Sequence, residues 1–169
     1  MIDRKSWGAA PPSADYTPMN AVKRIVIHHS ATSPDIRVKN IQYYHMHDRG
    51  WIDIGYHFLV DSDGNIYEGR PTWAIGSHCG HPDEPKKDWL FGNAGSLGIC
   101  VVGHYDAVKP LPKAIEAIKQ ICSHYLNVPV IGHFETWVPG RQKKTCPGKY
   151  LSTELFGQDR WDKYFGGKS

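Results

Sequence analysis

Three short stretches of this chain carry side chains that bind metals or move protons. They are His28 and His29 after Arg24-Ile25-Val26-Ile27, His133 in Gly132-His133-Phe134-Glu135, and Cys146 in Lys143-Lys144-Thr145-Cys146-Pro147-Gly148. Imidazole nitrogen and thiolate sulfur are ordinary zinc donors, and two histidines with one cysteine would leave one tetrahedral position for water, as in a catalytic rather than a structural zinc. The basic neighbours Lys143 and Lys144 favour the thiolate form of Cys146 that a metal requires. Taken singly, each histidine reads more simply as a packed or surface residue. Along a strand His28 and His29 point to opposite faces, so one of the pair, not both, is expected at the site. His29 and His78 stay open as a fourth protein ligand, the signature of a structural site.

Donors this far apart in sequence need a scaffold that brings distant segments together. The apolar run over residues 24–28 suits a buried central strand. Ser33-Pro34-Asp35 reads as a helix start, and Ile36, Asn40, Ile41, Tyr44, Met46 and Asp48 give an imperfect amphipathic helix stopped at Gly50. Asp63-Gly64 between two alternating apolar runs signals a hairpin. Regular alternation along its first strand groups Tyr56 with Phe58 and Val60, and sets His57 and Leu59 on the other face. Tyr56 and His57 would then not share a cleft. Residues 97–102 read as another buried strand. Residues 112–126 read as the best helix, with Pro112 in its first turn and Ile115, Ile118, Ile121, Cys122, Tyr125 and Leu126 at helical spacing. A strand over 128–132 delivers His133, and 151–156 form a short closing helix. Strands interspersed with helices indicate an α/β domain, one sheet covered by helices. Residues 69–95, the longest irregular stretch, carry Trp73, His78, Trp89 and Asn93; their aromatic content argues for a groove wall rather than disorder.

At 169 residues the chain is expected to be a single domain, 1–169, with residues 1–21 as an arm packed by Trp7 and Tyr16. That length buries roughly 70% of the surface the unfolded form exposes. A formal charge of +3 with scattered Lys and Arg is too weak for a nucleic-acid footprint. No stretch approaches a membrane span and the N-terminus lacks an apolar signal core, so a cytoplasmic protein that does not insert in membranes is expected; separately, a monomer is expected. The four cysteines show no paired framework, and Cys100 and Cys122 read as buried thiols on apolar faces. There is no H-E-x-x-H helix of an ordinary zinc peptidase.

Ile25-Val26-Ile27-His28-His29-Ser30, Gly50-Trp51-Ile52-Asp53-Ile54-Gly55-Tyr56-His57-Phe58, Gly76-Ser77-His78, Ser96-Leu97-Gly98-Ile99, Gly132-His133-Phe134-Glu135 and Lys144-Thr145-Cys146-Pro147 come in the order found in zinc-dependent N-acetylmuramoyl-L-alanine amidases. The chain most resembles the amidase-type lysozymes of bacteriophages and peptidoglycan recognition proteins, and its opening Arg4-Lys5-Ser6-Trp7-Gly8-Ala9-Ala10-Pro11-Pro12 resembles the start of the latter. The resemblance implies a mixed central β-sheet flanked by α-helices, with a zinc cleft on one face. It implies that His28, His133 and Cys146 bind Zn2+, and that Tyr56 and Lys144 assist catalysis. The implied reaction hydrolyses the amide between the lactyl group of N-acetylmuramic acid and the first alanine of the peptidoglycan stem peptide. An endolysin that waits in the cytoplasm and reaches the wall after release would fit. The alternatives are a cytosolic enzyme recycling muropeptides and a recognition module that binds wall fragments without cutting them. Loss of the cysteine marks many non-hydrolytic members of the family, and Cys146 is present here. Trp73, His78 and Asn93 are expected in the substrate groove, since aromatic walls with a few polar groups suit a glycopeptide. His29 and Glu135 are expected behind the ligands, orienting them. Residues 81–93 depart from the compact phage enzymes in being longer and more charged.

Overall fold

The computed structural model describes residues 1–80, 92–136 and 144–166. Strand β1 (Arg24–His29) is buried along all but its first residue, which is why its sequence runs apolar without alternation. It lies between β4 (Ser96–Val101) and β5 (Val130–Gly132), parallel to both. Strand β2 (Phe58–Val60) runs parallel to the far side of β4, and β3 (Ile66–Glu68) closes that edge antiparallel to β2. The sheet is therefore mixed, in the order β3-β2-β4-β1-β5.

Its two faces are covered differently. Ile25, Ile27, Leu97, Ile99 and Val101 meet Ala114, Ile115, Ala117, Ile118 and Ile121 of helix α2 (Pro112–Cys122). On the opposite face Leu59, Cys100 and Val102 meet Ile54 and, from helix α1 (Val38–Tyr43), Val38 and Ile41. Each fully buried aliphatic side chain contributes about 2 kcal/mol.

Several element ends differ from the sequence expectation, each for a local reason. Ser33 first closes a tight turn, its Oγ accepting from Asp35 N and its carbonyl from Ile36 N, so α1 begins only at Val38. The helix then widens into a π-turn, Tyr44–Asp48, before Gly50 turns left-handed at φ +66°. Helix α2 stops at Cys122 rather than running through Leu126. Asn127 adopts φ +65° just ahead of Pro129, leaving Leu126 79% exposed, while Tyr125 still packs on the core. Cys122 is half-buried against that core rather than fully enclosed. Pro129 has no N–H to give, so β5 starts at Val130, although the Pro129 carbonyl still accepts from Ile25 N. Helix α3 (Lys149–Phe156) is followed by α4 (Gln158–Phe165), which the sequence pattern did not announce. Trp161, Tyr164 and Phe165 of α4 surround Phe134 with ring centroids 5.0–5.6 Å away.

Residues near the N-terminus bond to the body of the chain. Trp7 Nε1 donates to Glu68 O at 2.8 Å, and Tyr16 packs edge-on against Trp73. The fully buried Asp53 carboxylate accepts from the Tyr16 hydroxyl, from Gln42 Nε2 at 2.6 Å and from the Arg4 guanidinium at 3.0–3.1 Å. Buried Arg70 donates to Ile54 O and Ile75 O. These bonds hold residues 53–56 in an irregular path, so the regular strand begins only at Phe58. Alternation therefore fails at Tyr56, which packs with Leu59, Cys100 and Ile54 instead of sharing a face with Phe58 and Val60.

Candidate metal centre

The sheet carries His28 next to Cys100 in register and puts its ring on the α1 face, while His29 turns to the α2 side. His133 leaves the end of β5, parallel to β1, so its ring comes to lie 4.4 Å from that of His28. Cys146 is brought in by a backbone bond from Phe134 N to its carbonyl at 2.8 Å. Asp106 completes the loop, its carboxylate accepting from Thr145 Oγ1 at 2.7 Å and from Lys149 N at 2.9 Å. Gly148 fits only as glycine: it has φ +97°, and a Cβ there would stand 2.5 Å from the Tyr105 backbone.

As a result one ligand atom each from His28, His133 and Cys146 falls within 4.8 Å of the others, and no other such group of three occurs among the described residues. Cys146 Sγ lies 3.7 Å from His28 Nδ1. Tetrahedral zinc bonds of about 2.3 Å to sulfur and about 2.0 Å to nitrogen would separate those atoms by about 3.5 Å, so this pair fits the metal that the sequence suggests. Burial, followed by the positive field that His133 would add, holds the His28 ring well below its ordinary pKa, so it is neutral and able to donate a lone pair. The thiol behaves otherwise than the sequence predicts. Burial pushes Cys146 up to about 12 and outweighs the opposing Lys144 charge, so without a metal the thiol keeps its proton. Lys143 lies outside the described residues.

Half-buried Tyr56 stands beside this cluster, its ring 5.2 Å from that of His28 and 5.4 Å from that of His45. Burial raises its phenol pKa well above the ordinary value, reinforced by the Cys100 and Cys146 sulfurs, which keeps it a hydrogen-bond donor at neutral pH. Lys144 is exposed, two residues before Cys146.

The remaining expected residues are placed differently from one another. His29 lies behind the cluster: its Nδ1 accepts from Tyr105 N at 3.2 Å, and burial pushes its pKa down to about 4. Glu135 braces the His133 turn rather than a ligand nitrogen, with Oε1 accepting from Gly132 N at 2.8 Å and Oε2 paired with Arg160. Asn93 is fully buried, and its Oδ1 accepts from the backbone N–H groups of His78 and Cys79. It shapes the chain instead of lining an open groove. His78 is buried against His28, with Nδ1 and His28 Nε2 3.0 Å apart. Trp73 is exposed and lines a hollow of about 520 Å³ with Phe58, Ile66 and Tyr125, whose walls include none of His28, His133 and Cys146. Trp89 and residues 81–91 lie outside the described residues. Sequence reasoning missed Asp106, Cys100 beside Tyr56, and His45, whose Nδ1 accepts from Gly55 N at 3.0 Å. One signal was available: Pro147-Gly148 puts no capping side chain ahead of α3, so its first N–H groups had to be satisfied from elsewhere.

A mixed sheet with histidines and a cysteine gathered at one face defines the class. The chain belongs to the N-acetylmuramoyl-L-alanine amidase family, whose model matches residues 18–149. Peptidoglycan-recognition protein SC2 of Drosophila melanogaster is 30% identical over 95% of this chain and 87% of its own length. Peptidoglycan recognition protein 1 of Bos taurus is 31% identical over 89% and 80%. Among solved structures, peptidoglycan recognition protein-LE in complex with tracheal cytotoxin, a monomeric diaminopimelic acid-type peptidoglycan, superposes with a TM-score of 0.75 at 29% identity over 95% of this chain and 98% of that one. No described helix is long and apolar enough to cross a membrane.

Proposed function

We propose that this chain is a zinc-dependent amidase that hydrolyses the bond between the lactyl group of N-acetylmuramic acid and L-alanine in peptidoglycan. The observation that carries the proposal is the intact His28, His133 and Cys146 donor set, its ligand atoms within 4.8 Å of one another and Cys146 Sγ 3.7 Å from His28 Nδ1. These three residues would hold a zinc ion, which would supply Lewis acidity toward an amide carbonyl and a nucleophilic water near neutral pH. The two residues considered as a fourth ligand are engaged elsewhere, His29 with the Tyr105 backbone and His78 with His28 and the Ser96 carbonyl, which favours an open catalytic site. Tyr56, kept protonated, donates a hydrogen bond to the oxyanion that develops as the amide carbonyl is attacked. Lys144 adds positive charge at the same mouth. The proposed substrate is wall peptidoglycan or its soluble fragments, in line with the ligand named for the recognition protein-LE complex.

Recognition without cleavage is the second proposal, favoured by the names of the relatives. The deciding experiment measures stem-peptide release from purified peptidoglycan by the chelated protein, by the same protein after zinc is restored, and by Cys146→Ser. Zinc-restored release that the variant lacks is the expected result. Binding of peptidoglycan by the zinc-loaded protein with no new amino ends would leave a recognition module. Comparing intact sacculi with soluble muropeptides separates a lytic role, as in an endolysin, from recycling.

A further inference from the structure

His78 enters the site through its neighbour rather than through an open groove. Its Nε2 lies 3.1 Å from the Ser96 carbonyl oxygen, its Nδ1 lies 3.0 Å from His28 Nε2, and His28 Nδ1 faces Cys146 Sγ at 3.7 Å. A carbonyl oxygen can only accept, so the Nε2 of His78 must carry the hydrogen. The Nδ1 of the same neutral ring is then the acceptor, and His28 must donate its own Nε2–H to it. That leaves the His28 lone pair on Nδ1, the nitrogen that faces the cluster.

We propose that His78 is a positioning residue that fixes the tautomer and orientation of His28, through a chain running from the Ser96 carbonyl across two imidazoles, so that Nδ1 of His28 is presented to the metal. The inference rests on the metal-centre proposal above. In metal sites the remaining ring N–H of a histidine ligand is ordinarily held by a carboxylate, a backbone carbonyl or water. Here a second imidazole stands between the ligand and the carbonyl.

The surrounding backbone is built to hold that ring. A Cβ on Gly98 would lie 2.7 Å from His78 Cδ2 and Cγ, and one on Gly76 would lie 2.5 Å from Cδ2, so both positions leave room for the imidazole only as glycine. The His57 ring packs against it at 5.6 Å, and His57 is itself fixed by Gly98 N at Nδ1 and Ala74 O at Nε2. Asn93 holds the His78 backbone from the other side. Rotation of His78 is blocked on each of these sides, so the donor direction it imposes on His28 is fixed before any metal arrives.

The test begins with the metal-free wild-type protein and reads histidine tautomers from nitrogen-15 chemical shifts and long-range proton couplings. The expected result is a proton on Nε2 and none on Nδ1 for both His28 and His78. A proton on His28 Nδ1 overturns the proposal. Zinc affinity is then measured by competition with a chromophoric chelator. His78→Leu should bind zinc about 10- to 100-fold more weakly. His78→Asn, whose Oδ1 stands where Nδ1 stood, should recover most of that loss. Gly98→Ala, which keeps a histidine at 78 but pushes its ring aside, should weaken zinc binding as well. A folded His78→Leu that binds zinc as tightly as wild type sinks the idea, and if that variant does not fold, the wild-type tautomers and the Asn and Ala variants decide it. A wild-type protein showing the predicted tautomers but taking up no zinc would instead remove the metal-centre proposal and leave the control of His28 by His78 standing.

Discussion

The two faces of β1 use one strand for two purposes. On the α2 side Ile25 and Ile27 disappear into an aliphatic layer that needs only apolar area and fit. On the α1 side the same strand ends in His28, whose ring meets polar and aromatic groups: His78, His133, Tyr56 and the Cys146 thiol. Area decides the first face, whereas direction decides the second, because a lone pair or a donor must point one way. The apolar face should therefore fail in stability and the polar face in chemistry.

Tyr56→Phe makes the sharpest break. Removing one oxyanion donor should lower the rate of stem-peptide release about 10²- to 10³-fold, while zinc affinity and denaturant midpoint stay near wild type. Equal losses in rate and zinc affinity would show that Tyr56 holds the metal site instead. On the other face, Ile27→Ala should cost about 2–5 kcal/mol in urea unfolding and leave the zinc affinity of the folded protein unchanged. A changed affinity would mean that the two faces are coupled through the strand.

pH sharpens the comparison because both sides carry histidines neutralised by burial. His29, His45 and His57 are each held down to about 4, against about 6.5 in an unfolded chain. Below pH 6.5 the unfolded chain takes up protons that the folded chain refuses, so stability is full above 6.5 and falls as the pH drops toward 4. Each such histidine should cost about 0.7 kcal/mol between pH 7 and 6 and about 1.2 kcal/mol between pH 6 and 5, read from urea midpoints of metal-free protein at pH 7, 6 and 5. A flat profile would mean that these rings are not buried in solution. The smallest effect belongs to the Glu135–Arg160 pair, 2.8 Å apart with Arg160 36% exposed. Glu135→Gln should cost about 1 kcal/mol of stability, with zinc affinity nearly unchanged, by the same two measurements.

Motif order was legible because each motif sits where regular secondary structure delivers it. His28 follows a buried strand, His133 follows another, and alternation separates His28 from His29 without any structure. Alternation misled at Tyr56, where the hydrogen bonds of Asp53 and Arg70, made with residues up to 49 positions away, override the local period. The groove assigned to Trp73, His78 and Asn93 was inferred from composition. Composition does not say whether a polar side chain faces solvent or a buried backbone N–H, as Asn93 does.

What the sequence determined by itself was the inventory and its delivery: imidazoles and a thiol placed after apolar segments that must become sheet, with glycines at 76 and 98. Only the tertiary structure decided the directions. Which nitrogen of His28 faces Cys146, why the thiol keeps its proton despite Lys144, and which side Tyr56 joins all depend on burial and on hydrogen bonds between residues 16 to 118 positions apart. Local propensity sets where a side chain is hung. Its tautomer, charge and aim follow from what the fold packs against it.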